Sequence, residues 1–88
     1  SLSRKSLAWM QVLSPAHTAF GAEVRDRRHE LSLTQEDLSD RAGVHVSYVS
    51  QVERGLKNIS LSNLLKFSKA LECSASRLVT AAEDASAG

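Results

Sequence analysis

The sequence is poor in the residues that indicate disulfide-stabilised, metal-binding or membrane proteins. Its 88 residues include one cysteine, Cys73, so no disulfide can form within the chain. That cysteine and the three histidines lack the paired spacing of metal sites. No apolar run approaches the ~18 residues of a membrane-spanning helix. We therefore expect a protein of the reducing cytoplasm that has no cofactor, no metal ion and no membrane partner.

The sequence also lacks a marked excess of charge of one sign. Eleven Lys and Arg residues face ten Asp and Glu residues, for a formal net charge of +1. A strongly basic domain, the simplest indication of a nucleic-acid partner, is therefore absent, and any such partner has to be argued from local charge. The 42% of hydrophobic residues and 24% of charged residues are typical of one small globular domain.

Helix-breaking residues are scarce, with one proline and four glycines, and β-branched residues are few. The segments between these breakers carry helical periodicity, which predicts an all-α fold with five helices. We divide the chain into an N-terminal extension at 1–14, a folded domain at 15–82 and a flexible tail at 83–88. The extension is either a short helix or unstructured.

Capping residues predict where the first two helices begin and end. Ser14-Pro15 resembles an N-cap followed by proline at the first helical position, which opens helix 1 and carries it to about Leu31. The segment from Thr34 to Asp37 has the spacing of a capping box and opens helix 2. Gly43 supplies the C-terminal stop of that helix.

The remaining helices follow from similar signals. Helix 3 is predicted to begin at Val44 or His45 and to end at Gly55, and Ser60 is predicted to cap helix 4. The buried stripe of helix 4 is expected to consist of Leu61, Leu64, Leu65 and Leu71. A fifth helix begins after Ser74 and carries Leu78 and Val79.

Trp9 is the single tryptophan, and it lies outside the predicted five-helix set. Two interpretations remain open with equal weight. Large exposed aromatic side chains are enriched at interfaces, so Trp9 is a candidate subunit contact. Alternatively, the indole folds back onto its own domain.

Two short helices flank a glycine-containing turn between 34 and 55, which is the helix-turn-helix layout. Here the chain resembles the lambda repressor-like family of Cro and XRE type, over roughly 20–79. The matching residues are Thr34-Gln35, Leu38, Ala42-Gly43-Val44, Val49-Ser50, Val52-Glu53 and Gly55. The segment Asn58-Ile59-Ser60 is similar to the restriction-modification controller proteins of that family. The resemblance implies a five-helix DNA-binding domain whose recognition helix, about 45–54, enters the major groove.

A helical wheel separates the two faces of this recognition helix. With Val49 at zero, Val52 and Glu53 lie within about 60° of it on the core side. A polar row consisting of Ser47, Gln51 and Arg54 lies on the opposite side. Glutamine can pair with two atoms of adenine, so the polar row can read base edges. An ordinary solvated helix face is the alternative, which the capped helix and the glycine turn before it make less favourable.

Combined with the wheel, the resemblance assigns the DNA contacts residue by residue. Base edges are expected to be contacted by His45, Val46, Ser47, Ser50 and Gln51. Phosphates are expected to be contacted by Thr34, Gln35, Tyr48, Arg54, Lys57 and Asn58. Packing against a neighbouring helix is the alternative for Tyr48, and plain surface exposure is the alternative for Gln35. Arg54 and Lys57, with Arg25 as a further candidate, form a local basic rim.

Two charged residues are predicted to point inward. Arg28 lies about 40° from Val24 on helix 1, and Glu53 lies about 40° from Val49 on helix 3. Family members carry an Arg to Glu bridge at the matching positions, so we predict an ion pair between Arg28 and Glu53. The alternative is that both side chains extend to water.

The sequence departs from the family at two helix ends. The family commonly has glycine at the positions of Ser32 and Glu72, where a left-handed residue is favoured. We therefore expect a local difference at these two ends.

The leading hypothesis is a homodimeric transcriptional regulator that binds a palindromic site on double-stranded DNA. Helix 5 is the first candidate for the dimer contact, and the Trp9 segment is the second. The alternative is a protein-interaction module, such as an antitoxin that binds a partner polypeptide. No enzymatic activity is expected, because the histidines lie on different segments and no ordered triad is evident. No small-molecule effector is expected within this domain.

Overall fold

A computed structural model describes residues 13–87 and shows five α-helices, with no strand among these residues. The helices are α1 (Pro15–Glu30), α2 (Gln35–Ala42), α3 (Val46–Glu53), α4 (Leu61–Ala70) and α5 (Ala75–Ala87). The all-α, five-helix prediction is thus confirmed. The predictions for the extension up to residue 12, including the two interpretations of Trp9, lie outside the described residues.

Side-chain caps begin the first two helices where the sequence predicted. The Ser14 hydroxyl accepts a hydrogen bond from the backbone amide of His17, with Pro15 at the first helical position. At α2 the Thr34 hydroxyl accepts from the Asp37 amide, and the Asp37 carboxylate accepts from the Thr34 amide, which completes a capping box. Gly43 ends α2 with φ 70°, a left-handed conformation that glycine adopts without strain.

The recognition helix is shorter than the sequence predicted. His45 is its N-cap with an extended backbone, so the first helical residue is Val46, one or two residues later than expected. The last helical residue is Glu53, because Arg54 has φ −90° and ψ 0° and Gly55 turns left-handed at φ 77°. The predicted range 45–54 therefore includes both caps.

Helix α4 begins after the predicted Ser60 cap, but its buried face differs from the prediction. Phe67, Ala70 and Leu71 are buried, whereas Leu61 and Leu65 are 72% and 53% exposed. On a helical wheel these two leucines lie about 120° to 160° from Phe67. The bulky Phe67 ring therefore sets the face that packs inward, and the predicted leucine stripe was wrong at two of its positions.

Helix α5 begins after Ser74 as predicted and buries Leu78, while Val79 lies at its exposed edge. It continues to Ala87, so residues 83–87, predicted as part of a flexible tail, form its last turns. Alanine has the highest helix propensity, and the alanines of this segment favour continuation of the helix, which the tail prediction underestimated.

The helix ends at Ser32 and Glu72 do not differ in conformation from the glycine-containing pattern. Both residues are left-handed, with φ 57° and 54°. Arg27 supports the second of these turns, because its Nε donates to the carbonyl of Leu71 at 2.9 Å and its Nη2 to that of Glu72 at 3.1 Å. The expectation of a local difference was therefore wrong, and the chain adopts an αL residue without glycine.

The core brings the helices together around ten buried apolar side chains. These are Phe20, Val24, Leu38, Ala42, Val49, Val52, Phe67, Ala70, Leu71 and Leu78. Helices α1 and α3 are in close contact at Gly21, where an added Cβ would overlap the carbonyl oxygens of Val52 and Glu53. Because only a hydrogen atom fits there, α1 fixes the position of α3.

Candidate nucleic-acid interface

A tight turn connects α2 to α3. The amides of Gly43 and Val44 both donate to the carbonyl of Ser39, at 3.0 Å for Val44. Val44 then packs against the core, which anchors the turn beneath the start of α3. The two helices are thereby held as a helix-turn-helix unit.

Helix α3 buries one face and presents the other. Val49, Val52 and Glu53 are buried, as the wheel predicted. The outer face carries His45 and Ser47, which are exposed, and Val46, which is 40% exposed. Ser50 and Gln51 are half-buried beside them. The residues predicted to contact bases therefore lie on or beside the solvent-facing side of α3.

The predicted ion pair between Arg28 and Glu53 is present and buried. Arg28 Nε donates to Glu53 Oε2 at 2.7 Å, and Arg28 Nη2 donates to Glu53 Oε1 at 2.9 Å. The guanidinium also donates from Nη1 to the carbonyl of Leu33 at 2.9 Å. The hydrogen bond to Glu53 raises the pKa of Arg28, against the lowering effect of burial. Two parallel hydrogen bonds join α1 to the end of α3 in a fixed geometry.

Gln35 and Thr34 lie at the start of α2, next to this ion pair. The Gln35 side chain donates from Nε2 to Glu53 Oε1 at 3.1 Å, so the glutamine is held against α3 and is half-buried. Thr34 is exposed and its hydroxyl serves as the helix cap. Both residues lie where unpaired helix amides and the helix dipole favour an anion.

Tyr48 packs against a neighbouring helix, which was the alternative interpretation of this residue. Its ring meets Phe67 edge-on, with centroids 6.1 Å apart, and is half-buried. Its hydroxyl accepts a hydrogen bond from Asn63 Nδ2 at 3.1 Å. Because that hydroxyl accepts here, its own proton can still be donated to a phosphate.

The segment after α3 carries three of the residues predicted to contact phosphate. Arg54, Lys57 and Asn58 are all exposed. Asn58 is held by His17 of α1, whose Nε2 lies 2.6 Å from Asn58 Oδ1. Sequence reasoning missed His17 and also Gly21, because neither a contact across 41 residues nor a close helix crossing leaves a local signal.

Acidic side chains of α2 lie beside the first residues of the recognition helix. Glu36 and Asp40 line a groove of about 590 Å³ together with His45 and Val46. Arg25 on α1 is exposed, as are Arg54 and Lys57. Negative charge near α3 weakens the sequence-independent attraction of this surface to a polyanion.

The part of the chain that the structure describes, residues 13–87, offers neither a metal site nor a membrane span. No group of three or more His, Cys, Asp or Glu side chains is placed to hold a metal ion there. No helix in that range is long and apolar enough to cross a membrane.

The fold and this surface define a helix-turn-helix domain. A helix-turn-helix family model matches residues 24–78, and the chain belongs to that family. The predicted resemblance to Cro and XRE-type proteins is thus confirmed.

Restriction-modification controllers are among the most similar known proteins. The chain is 43% identical over 53 residues to control protein C.BamHI from Bacillus amyloliquefaciens, which covers 59% of this chain and 65% of that protein. It is 40% identical over 57 residues to control protein C.SmaI from Serratia marcescens, covering 65% and 68%. The chain thus spans just under two thirds of the first relative and slightly more of the second.

Solved structures of a controller protein and of a repressor are also similar to this chain. The controller protein C.AhdI from Aeromonas hydrophila superposes with a TM-score of 0.68 at 41% identity, over 69% of this chain and 92% of that one. The P22 c2 repressor in complex with a synthetic operator has a TM-score of 0.67 at 37% identity, over 70% and 94%.

Proposed function

We propose that this protein binds double-stranded DNA at specific sequences as a transcriptional regulator, with α3 in the major groove. The observation that carries the proposal is the arrangement of α3. Its C-terminal end is held by the buried ion pair between Arg28 and Glu53. Ser47 and Gln51 lie on the opposite side of the helix from the buried face. A helix that reads base edges needs this combination of a fixed angle and hydrogen-bonding side chains.

The relatives support the proposal. The P22 c2 repressor was solved with a synthetic operator, and C.AhdI is a restriction-modification controller protein. Their structures superpose on 69% and 70% of this chain, respectively. We propose that the contacts follow the sequence prediction, with His45, Val46, Ser47, Ser50 and Gln51 at bases.

Phosphates would be bound around this base-reading surface. Proposed contacts are Thr34, Gln35, Tyr48, Arg54, Lys57 and Asn58. Such contacts set the register of the protein on the duplex and contribute most of the salt-dependent affinity. The α2 amino terminus contributes through its helix dipole and Lys57 through its charge.

We further propose that the protein acts as a homodimer on a palindromic operator. Leu61 and Leu65 of α4 are exposed, and Val79 of α5 lies at its exposed edge. Burying such side chains between two copies stabilises a two-fold dimer. A dimer places two recognition helices about 34 Å apart, one turn of the double helix. Because DNA is the proposed partner, we expect the protein in the cytoplasm.

Selection of bound sequences from a random DNA library tests the proposal. We expect one palindromic motif to be enriched. Gln51→Ala should then weaken binding to that motif by about 1 to 3 kcal/mol and relax the preference at one base pair, because it removes a base-reading side chain. Its affinity for random DNA should change little.

Lys57→Ala is the matched control for this variant. It should lower affinity for every sequence and reduce the slope of log affinity against log salt by about one. Failure to enrich any sequence would contradict the proposal and favour the protein-interaction alternative. Equal losses of Gln51→Ala on selected and random DNA would exclude base reading by Gln51.

A further inference from the structure

We infer that His17 is a positioning residue that orients the side-chain amide of Asn58 toward the DNA backbone. The inference rests on the proposed function, because it specifies how one of the proposed phosphate contacts is built. His17 lies in the first turn of α1, 41 residues before Asn58, and its imidazole bridges the N-cap Ser14 and Asn58. None of the sequence signals assigned a role to it.

The hydrogen-bond donors and acceptors in this bridge follow from the atoms involved. Asn58 Oδ1 can only accept, so His17 Nε2, 2.6 Å away, carries the proton and donates. In the neutral ring, Nδ1 then accepts from the Ser14 hydroxyl at 2.7 Å. The Ser14 oxygen in turn accepts from the backbone amide of His17. Every atom of the bridge therefore has a compatible partner, and the ring is held in one orientation.

The bridge holds the carbonyl end of the Asn58 amide against His17. Phosphate oxygens accept hydrogen bonds and repel other acceptors, so an asparagine binds phosphate through Nδ2 and not through Oδ1. In the structure Oδ1 is the end bonded to His17, and the opposite amide orientation would require the other imidazole tautomer, with Nδ1 donating to Ser14. Because Oδ1 is the end held by His17, Nδ2 is the end of the amide that can donate to a phosphate oxygen.

A second link holds the same two segments together. The amide of Leu13 donates to the carbonyl of Gly55 at 2.9 Å, immediately before α1 and immediately after α3. The backbone of the segment after α3 is therefore positioned independently of the His17 side chain. Removing the imidazole is expected to release the Asn58 amide without displacing the segment.

The experiment measures affinity for the selected operator with four variants. They are His17→Leu, Asn58→Ala, the double variant and His17→Gln. We expect His17→Leu to lower affinity by about two- to tenfold, the range for one hydrogen bond, and Asn58→Ala to lower it by at least as much. The double variant should bind like Asn58→Ala alone. His17→Gln should restore most of the affinity, because its Nε2 amide can donate to Asn58 Oδ1.

His29→Leu is the matched control, since His29 is exposed in the last turn of the same helix. It should leave operator affinity unchanged. Thermal unfolding of every variant verifies that binding is measured on folded protein, and the rescue by glutamine separates positioning from a general loss of stability.

The outcomes separate this inference from the proposed function. If the wild type enriches no DNA sequence, the proposed function fails. If the wild type and Lys57→Ala behave as proposed but His17→Leu binds normally, the inference fails alone. Additive losses in the double variant, or a His17→Gln variant as weak as His17→Leu, would also overturn it.

Discussion

The buried charge pair between Arg28 and Glu53 joins the recognition helix to α1. The Glu53 carboxylate accepts from Arg28 at two atoms and from Gln35 at one, so three helices meet at a single side chain. Burying such charges is costly unless each is paired, and here the hydrogen bonds compensate for the loss of water. Both side chains are buried, so under the proposed function the pair would act through the position of α3 and not through a contact with DNA.

We predict that the losses of stability from removing Arg28 and from removing Glu53 are not additive. Arg28→Leu or Glu53→Leu should each lower the free energy of unfolding by about 3 to 5 kcal/mol, because the remaining charge is buried and unpaired. The double variant should lose less than the sum of the single losses. Urea unfolding of the four proteins measures the coupling, and a coupling energy of zero would contradict the prediction.

The capping carboxylate of Asp37 predicts a dependence of stability on pH. The backbone amide of Thr34 and then its side chain lower the pKa of Asp37 below its ordinary value of 3.8. A carboxyl group whose pKa is lower in the folded state stabilises the protein above the unfolded pKa, and this contribution is lost as pH falls through the folded value.

The matched variant for this prediction is Asp37→Asn. It should be less stable than the wild type at pH 7, and the difference in thermal midpoint should shrink as the pH falls below about 3.8. A difference that stays constant down to strongly acidic pH would show that the charge of Asp37 does not support the cap.

At the scale of helices, the ends proved more predictable than the buried faces. Ser14, Thr34 and Ser60 begin their helices as predicted, because a cap is a contact between residues three apart. The buried face of α4, in contrast, was decided by which of its side chains packs against the other helices. Phe67 occupies that position, and Leu61 and Leu65 turn outward. Periodicity alone does not rank two overlapping apolar stripes.

Ser32 gives a prediction at the end of α1. It has φ 57°, which costs energy for a residue with a Cβ atom, so Ser32→Gly should stabilise the protein by about 0.5 to 1 kcal/mol. Ser62→Gly is the control, because Ser62 is exposed inside α4 and glycine there should destabilise by about 0.5 kcal/mol. Thermal or urea unfolding measures the stability of both variants. If the two substitutions changed stability in the same direction, the assignment of strain to Ser32 would be contradicted.

At the scale of the whole molecule, exposed apolar side chains support the proposed dimer. Leu61 and Leu65 share one face of α4, separated by about 40° on the helical wheel. The sequence favoured α5 as the dimer contact, whereas the exposed leucines add α4 to the proposed surface. A DNA-binding monomer of this size buries little surface on its site, so dimerisation and operator affinity should change together.

Leu65→Asp tests the proposed dimer surface. It should shift the protein to monomer in sedimentation experiments and weaken binding to the palindromic operator, because a charge would be buried between the copies. Lys66→Ala changes the net charge by the same amount on an adjacent face and should leave the assembly intact. A wild type that is monomeric both free and on DNA would contradict the dimer proposal.

The sequence by itself determined the features that depend on neighbouring residues. The helix starts, the glycine stop of α2 and the inward direction of Arg28 and Glu53 all follow from contacts within a few residues or from one helical turn. Tertiary structure decided the rest. The close crossing at Gly21, the packing of Tyr48 on Phe67 and the bond from His17 to Asn58 join residues at least 19 positions apart, and such distances are set only when the helices pack.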